Sequence, residues 1–297
     1  MESVGLGRWY DTICHSLFRE EKYQELSDLI SNLSRLCYKY ARTIGREIGD
    51  ARILLGKTCE RKKKACGEAE EWSEWDNIAM EQWTEAINIF KEIGDEERLT
   101  IALRGLGDNQ LDRAVVARPL GKEKLERGEW SEAEKIFQKQ RGEWREAINT
   151  FKEIGDEGRL VIALSGLGDN QTYRAVVLGR IGTEKLARAA VLHRLGEAKR
   201  ERDELRDVEE IIQELRSEWS DAKKNFQEVI EIIQTNFPNS QLKLAYSVRS
   251  LGKALWALGN DDKAVEAYVK ARDIYGKLEM FEEQKKVEEI LNGMKLL

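Results

Sequence analysis

Apolar residues along this chain recur with the period of an α-helix. Trp144, Ala147, Ile148, Phe151 and Ile154 fall at i, i+3, i+4, i+7 and i+10, one stripe of an amphipathic helix. Gly155-Asp156 then predicts a stop, because a helix C-terminus favours a residue that accepts the left-handed conformation. Leu160, Ala163, Leu164 and Leu167 begin a second stripe at once, so the pair reads as a helical hairpin. The same writing opens at Trp83. Across residues 83–125 and 144–186, 31 of 43 aligned positions are identical. A fixed internal period marks an array whose units bury their apolar faces against their neighbours.

The remaining stretches extend the pattern. Residues 5–36 read as a first hairpin, with Leu6, Trp9, Tyr10, Ile13 and Leu17 on one stripe and Tyr23, Leu26, Leu29, Ile30 and Leu33 on the other. A further pair is predicted over 38–66, broken at Ile48-Gly-Asp50 and resumed at Leu54-Leu-Gly56. Gly128-Glu-Trp-Ser-Glu-Ala133 recurs as Gly142-Glu-Trp-Arg-Glu-Ala147, which predicts two similar helices back to back. Residues 187–216 read as a solvated helical stretch of alternating charge, after which Trp219, Ala222, Phe226 and Val229 restore the apolar stripe. Asn236-Phe-Pro-Asn-Ser240 predicts a loop. From Phe281, a terminal helix with Val287, Ile290, Leu291 and Met294 on one face would close the last open hairpin.

A first helix reading hydrophobe-x-x-Leu-Gly, followed by Gly-x-aromatic-x-x-Ala-x-x-x-aromatic, resembles the tetratricopeptide repeat. The final unit carries it as Val248, Leu251-Gly252, Leu255, Leu258-Gly259, Ala264-Val265, Tyr268 and Ala271, departing at Asp261 where the family has an aromatic. Another unit runs Leu120-Gly121, Gly128-Glu-Trp130, Ala133 and Phe137, with Pro119 and Gln140 as departures. Phe-Lys-Glu-Ile-Gly-Asp followed by Ala-Leu-x-x-Leu-Gly is similar to the longer-period type found in kinesin light chains and bacterial signalling ATPases. The likeness is strong over 241–275 and 114–168 and thin over 40–80 and 187–216. It implies an all-α fold, a right-handed α-solenoid of about six to seven hairpins with a C-terminal capping helix. A single array over 1–297 would comprise divergent hairpins (1–80), the duplicated long repeat (81–186), a charged helical region (187–240) and a repeat unit with its cap (241–297).

The resemblance also implies a binding groove lined by the first helix of each hairpin. Its positions in the final unit are Tyr246, Arg249, Ser250, Lys253 and Trp256. Arg118 and Lys122 take them in the unit at 114–127, Arg104 in the first long copy, and His193 and Arg194 around Leu195-Gly196. Recurrent Arg and Lys suggest a locally basic groove for an acidic peptide or a C-terminal carboxylate. Against this stands a simpler reading, in which long basic side chains cover the concave face and pair with Asp108 or Glu197. Lys253 stands where the chaperone-type carboxylate clamp has asparagine, so a chaperone tail is not implied. A second candidate surface is Trp72 with Trp75, three apart in an acidic tract, read either as packing or as an aromatic contact point.

Composition narrows the function classes. A net charge of −6 disfavours a general nucleic-acid role, since phosphate neutralisation needs a basic surface. The tight basic cluster Arg61-Lys-Lys-Lys64 reads as a solvated helix face or, alternatively, a phosphate site. No window reaches the ~18 apolar residues of a membrane span, and the N-terminal residues lack a signal-peptide pattern. Cys14, Cys37, Cys59 and Cys66 form no Cys-x-x-Cys pair, as expected for reduced thiols in a cytoplasmic protein. His15 and His193 stand alone, and Gly105-Leu-Gly107 and Gly166-Leu-Gly168 follow helical stripes and lack the lysine ending of a phosphate loop. No catalytic constellation, metal set or cofactor motif is expected. The chain therefore reads as a non-catalytic protein-interaction scaffold or adaptor binding a peptide or helix. The alternative is a regulatory sensor module of a bacterial signalling or defence system, whose bound ligand or peptide switches a separate effector.

Overall fold

The computed structural model describes residues 42–65 and 69–294, and the described residues form helices joined by short turns, with no strand among them. In chain order the helices are α1 (Arg42–Ala65), α2 (Ala69–Ile93), α3 (Glu96–Glu126), α4 (Trp130–Glu153), α5 (Glu157–Arg194), α6 (Ala198–Asn236), α7 (Gln241–Ala257), α8 (Asp261–Lys277) and α9 (Phe281–Met294). This is the all-α, helical-hairpin architecture of an α-solenoid. The hairpin expected over 5–36, together with Cys14, His15, Cys37 and Cys66, lies outside the described residues. Two compact units are present: the described residues up to Asp112 with Asn149–Gly155, and Arg113–Ile148 with the described residues from Asp156 onward.

In the first unit α1 packs along α2, and the start of α3 adds Ala102 and Leu103 to a core of Ile48, Ile53, Leu55, Cys59, Ala79, Trp83, Ala86, Ile87 and Phe90. The break expected at Ile48-Gly-Asp50 is absent, for α1 runs through it. Gly49 is there for proximity, since a Cβ on it would stand 2.3 Å from the Phe90 ring. Within the basic cluster Lys63 also departs from a solvated face. Its amine is buried against Asp76 Oδ1 at 2.9 Å and lies 4.8 Å from the centre of the Trp72 ring. A buried ammonium persists only when paired in this way. Trp72 and Trp75 are both half-buried, and Trp75 packs on the core.

In the second unit each helix packs on the next, α5 on α6, α6 on α7, α7 on α8 and α8 on α9. The helices of the duplicated region are longer than the apolar stripes suggest. Residues 130–153 form the single helix α4 instead of two helices back to back, because Gly142 sits inside it with no turn. The charged stretch 187–216 divides between the end of α5 and the start of α6. At the joint Gly196 has φ +70 and Glu197 N donates to Leu192 O at 3.0 Å, a helix-ending closure. Leu195-Gly196 is thus a C-terminal turn and cannot be the interior Leu-Gly of a first helix. Pro119 lies inside α3 on its exposed side. In the same unit the guanidinium of Arg174 is buried among Glu134, Glu214 and Glu218, and Arg141 reaches the same Glu218 at 2.5 Å. Burial of this kind demands several compensating hydrogen bonds, which the carboxylates supply.

Candidate functional site

A cleft of about 700 Å³ opens in the second unit among α3, α4, α5, α7, α8 and the start of α9. Local sequence explains its shape. Gly166 on α5 lets the Trp144 indole lie against the helix backbone, so that α4 closes one wall without filling the space beyond. Val115, Val161, Ile162, Leu242 and Met280 give apolar walls, and Arg118, Asp169, Lys243, Tyr246, Arg249 and Glu283 give polar ones. Val115, Ile162 and Leu242 are 44, 43 and 51 % exposed, a large apolar share for solvent-facing helix positions.

Asp169 organises the polar floor. The Tyr246 hydroxyl donates to its carboxylate at 2.7 Å, and Arg118 approaches at 3.5 Å. Burial raises the Asp169 pKa above the usual aspartate value, opposed by the Tyr246 hydrogen bond and the charges of Arg118, Lys122 and Lys253. The same burial, with Asp169 opposite, pushes the Tyr246 phenol up, so it stays a neutral donor. Lys253 is exposed by area, yet the protein crowding its amine holds its pKa below the ordinary lysine value despite Asp169 nearby. Arg249 pairs with Glu283 at 2.5 Å and stands 5.4 Å from the Tyr246 ring centre and 6.0 Å from that of Tyr275. One carboxylate therefore faces three cations, and a second faces Arg249 and Lys286.

Of the residues expected in the groove, Arg118, Tyr246 and Arg249 line this cleft. Lys122 and Lys253 bear on Asp169, and Ser250 hydrogen-bonds Tyr246. Lys122 also lies over the Tyr173 ring at 4.9 Å, and Lys253 over Trp219 at 5.9 Å. Trp256 is 42 % exposed toward the end of α7 and is not a wall residue. Arg104 belongs to the first unit and is not among the lining residues. His193 and Arg194 occupy the last turn of α5, where His193 Nδ1 lies 3.1 Å from Glu201 Oε1, so the repeat register that placed them in a groove fails with the Leu195-Gly196 turn. The anions facing the basic residues are Asp169 and Glu283; Glu197, expected among them, instead accepts from Arg200 at 2.8 Å.

Asp169, Trp144 and Glu283 were not read as site residues from the sequence. Asp169 carries a signal, being an acidic residue kept in both copies directly after Gly-Leu-Gly, as Asp108 and Asp169. Glu283 carries none, since it reaches Arg249 only through the fold. Among the described residues no group of three or more His, Cys, Asp and Glu is placed to hold a metal ion, and no helix is long and apolar enough to cross a membrane.

No protein-family model matches the sequence, and no curated protein matches it significantly. Solved structures share the helical-repeat character at low identity. BtubC (BKLC) from P. vanneervenii is 14 % identical over 93 % of this chain and 82 % of its own, with a TM-score of 0.38. The de novo designed helical repeat protein DHR64 is 14 % identical over 85 % and 98 %, with a TM-score of 0.29. The S. pombe nuclear import adaptor Nro1 is 11 % identical over 92 % and 94 %, with a TM-score of 0.26. At such scores none of them carries its own function to this chain.

Proposed function

We propose that the chain is a non-catalytic protein-interaction scaffold of tetratricopeptide-repeat type, binding an acidic peptide segment in the cleft of its second unit. The observation that carries this reading is the charge arrangement around Asp169, which Arg118 approaches from the cleft lining and on which the charges of Lys122 and Lys253 also bear, beside exposed apolar walls. An incoming carboxylate gains charge-assisted hydrogen bonds there, while flanking apolar side chains cover Val115, Ile162 and Leu242. A buried free thiol at Cys59 suits the reducing cytoplasm.

The test is affinity capture from the native cell with the wild-type chain and with an Arg118→Gln, Arg249→Gln variant. Neutral replacements are chosen because a glutamate at either position would set like charges beside Asp169 or Glu283. Acidic partners held by the wild type should be lost from the variant at unchanged helical circular dichroism. Undiminished capture by the folded variant would put the site on another surface.

A further inference from the structure

Two tryptophans occupy matching places in the two copies and differ in what meets the indole N–H. Glycine–phenylalanine contacts set the match: a Cβ on Gly49 of α1 would lie 2.3 Å from Phe90, and one on Gly107 of α3 would lie 2.7 Å from Phe151. Counting equally far beyond each glycine reaches Glu60 in α1 and Arg118 in α3. Trp83 is 1 % exposed, and its Nε1 donates to Glu60 Oε1 at 3.1 Å. Trp144 is equally buried, but Arg118 stands over its ring at 5.7 Å, and a guanidinium has no lone pair to offer an N–H. The Trp144 Nε1 is left without an acceptor. Buried donors in native proteins find partners, so an orphan at a cleft wall marks a place for one.

We infer that Trp144 and Arg118 together receive the side-chain carboxylate of a partner's aspartate or glutamate, the partner supplying in the second copy what Glu60 supplies in the first. The inference rests on the acidic-peptide reading and specifies where one carboxylate of that peptide docks. Asp169 is engaged by Tyr246 at 2.7 Å and by Arg118 only at 3.5 Å, which leaves guanidinium donors for a ligand oxygen. The first copy is closed by its own glutamate, and the second stays open, so one duplicated fold yields one structural joint and one recognition site.

The probes are the peptide Ac-Leu-Glu-Leu-NH2 and its isostere Ac-Leu-Gln-Leu-NH2, titrated into uniformly 15N-labelled protein, with the Trp144 indole resonance assigned by Trp144→Phe. Saturating glutamate peptide should move the Trp144 indole N–H downfield, and the glutamine peptide should bind at least roughly tenfold more weakly. Arg118→Glu, which reproduces the Glu60 arrangement, should shift the resonance without peptide and abolish the response. Should that variant fail to fold, Trp144→Phe keeps the ring and should bring the affinity of the glutamate peptide, read from the other cleft resonances, down toward that of the glutamine peptide. Movement of other cleft resonances with the Trp144 indole unmoved overturns this inference and leaves the acidic-peptide reading standing. Equal responses to both peptides overturn it as well, and no response anywhere removes both readings.

Discussion

Gly166 gives its space to Trp144: a Cβ on the glycine would lie 2.3 Å from the indole Cη2. The same exchange joins Gly105 to Trp83 at 2.5 Å, Gly121 to Phe137 at 2.8 Å and Gly168 to Phe226 at 2.7 Å. Each aromatic fills the volume that a missing side chain leaves, which lets helix axes approach closely. Gly166→Ala should therefore overpack the joint and cost ~1–3 kcal/mol. Gly142, helical with nothing within 4 Å of its Cβ position, supplies the contrast. Gly142→Ala should stabilise by about 0.5–1 kcal/mol, through backbone entropy alone. Urea titration of both variants decides the matter, and equal effects would show the Gly166 contact to be slack.

Glu279 sits in the left-handed region at φ 58, ending α8 where Gly259, at φ 73, ends α7. Both turns close alike, Met280 N donating to Tyr275 O at 3.0 Å and Asn260 N to Leu255 O at 2.9 Å. A side chain at that backbone costs ~1–2 kcal/mol that glycine avoids in part. Glu279→Gly should raise the melting temperature by a few degrees, and a fall would mean that the glutamate side chain compensates the strain.

Cys59 is fully buried in the first-unit core, and burial pushes its thiol pKa up to about 12. Because the thiolate is the nucleophile, this cysteine should resist iodoacetamide at mildly alkaline pH until the chain unfolds. Peptide mass mapping of native and urea-treated protein reads the difference directly. Rapid native labelling of Cys59 would show that the α1–α2 core opens locally.

Glu283 ties α9 to the cleft, and hydrogen bonds from Lys286 and the charge of Arg249 hold its carboxyl below the usual 4.5. A depressed folded value means that the contribution is present above the ordinary glutamate range and is lost as pH falls through the lowered value. Hydrogen-exchange protection in α9, referred to the intrinsic amide rate at each pH, should fall as the pH drops below the ordinary glutamate range, and Glu283→Gln should flatten that dependence. An unchanged profile in the variant would assign the acid sensitivity to other groups.

Helical class, hairpin turns and small-residue contacts were legible because each is local. Gly155 takes φ +66 and ends its helix as its sequence position requires, and Ala147 and Ala264 are fully buried where the repeat pattern puts small residues. Glycine inside a helix proved ambiguous. At Gly49 and Gly142 the sequence suggests a break or a fresh start, yet one glycine serves close packing and the other sits in open space. Leu-Gly misled at 195–196 because the same dipeptide serves a helix interior at Leu251-Gly252 and a terminus at Leu258-Gly259. Arg118, Tyr246 and Arg249, which the resemblance to the repeat family singles out, line one cleft. Asp169 and Glu283, which face them, depend on contacts between residues far apart in the chain.

The notch at Gly107 takes Phe151, and the notch at Gly168 takes Phe226, although the sequences around the two phenylalanines share little beyond the tryptophan and alanine that precede them. Each copy thus carries within it a notch that an aromatic of the following helix fills. An in-frame duplication within the gene would already carry both halves of the new junction, needing no compensating substitution elsewhere. Lineages bearing this chain could lengthen or shorten it by whole copies in a single genetic event, and afterwards diverge residues such as Glu60 and Arg118 without disturbing the couplings between helices.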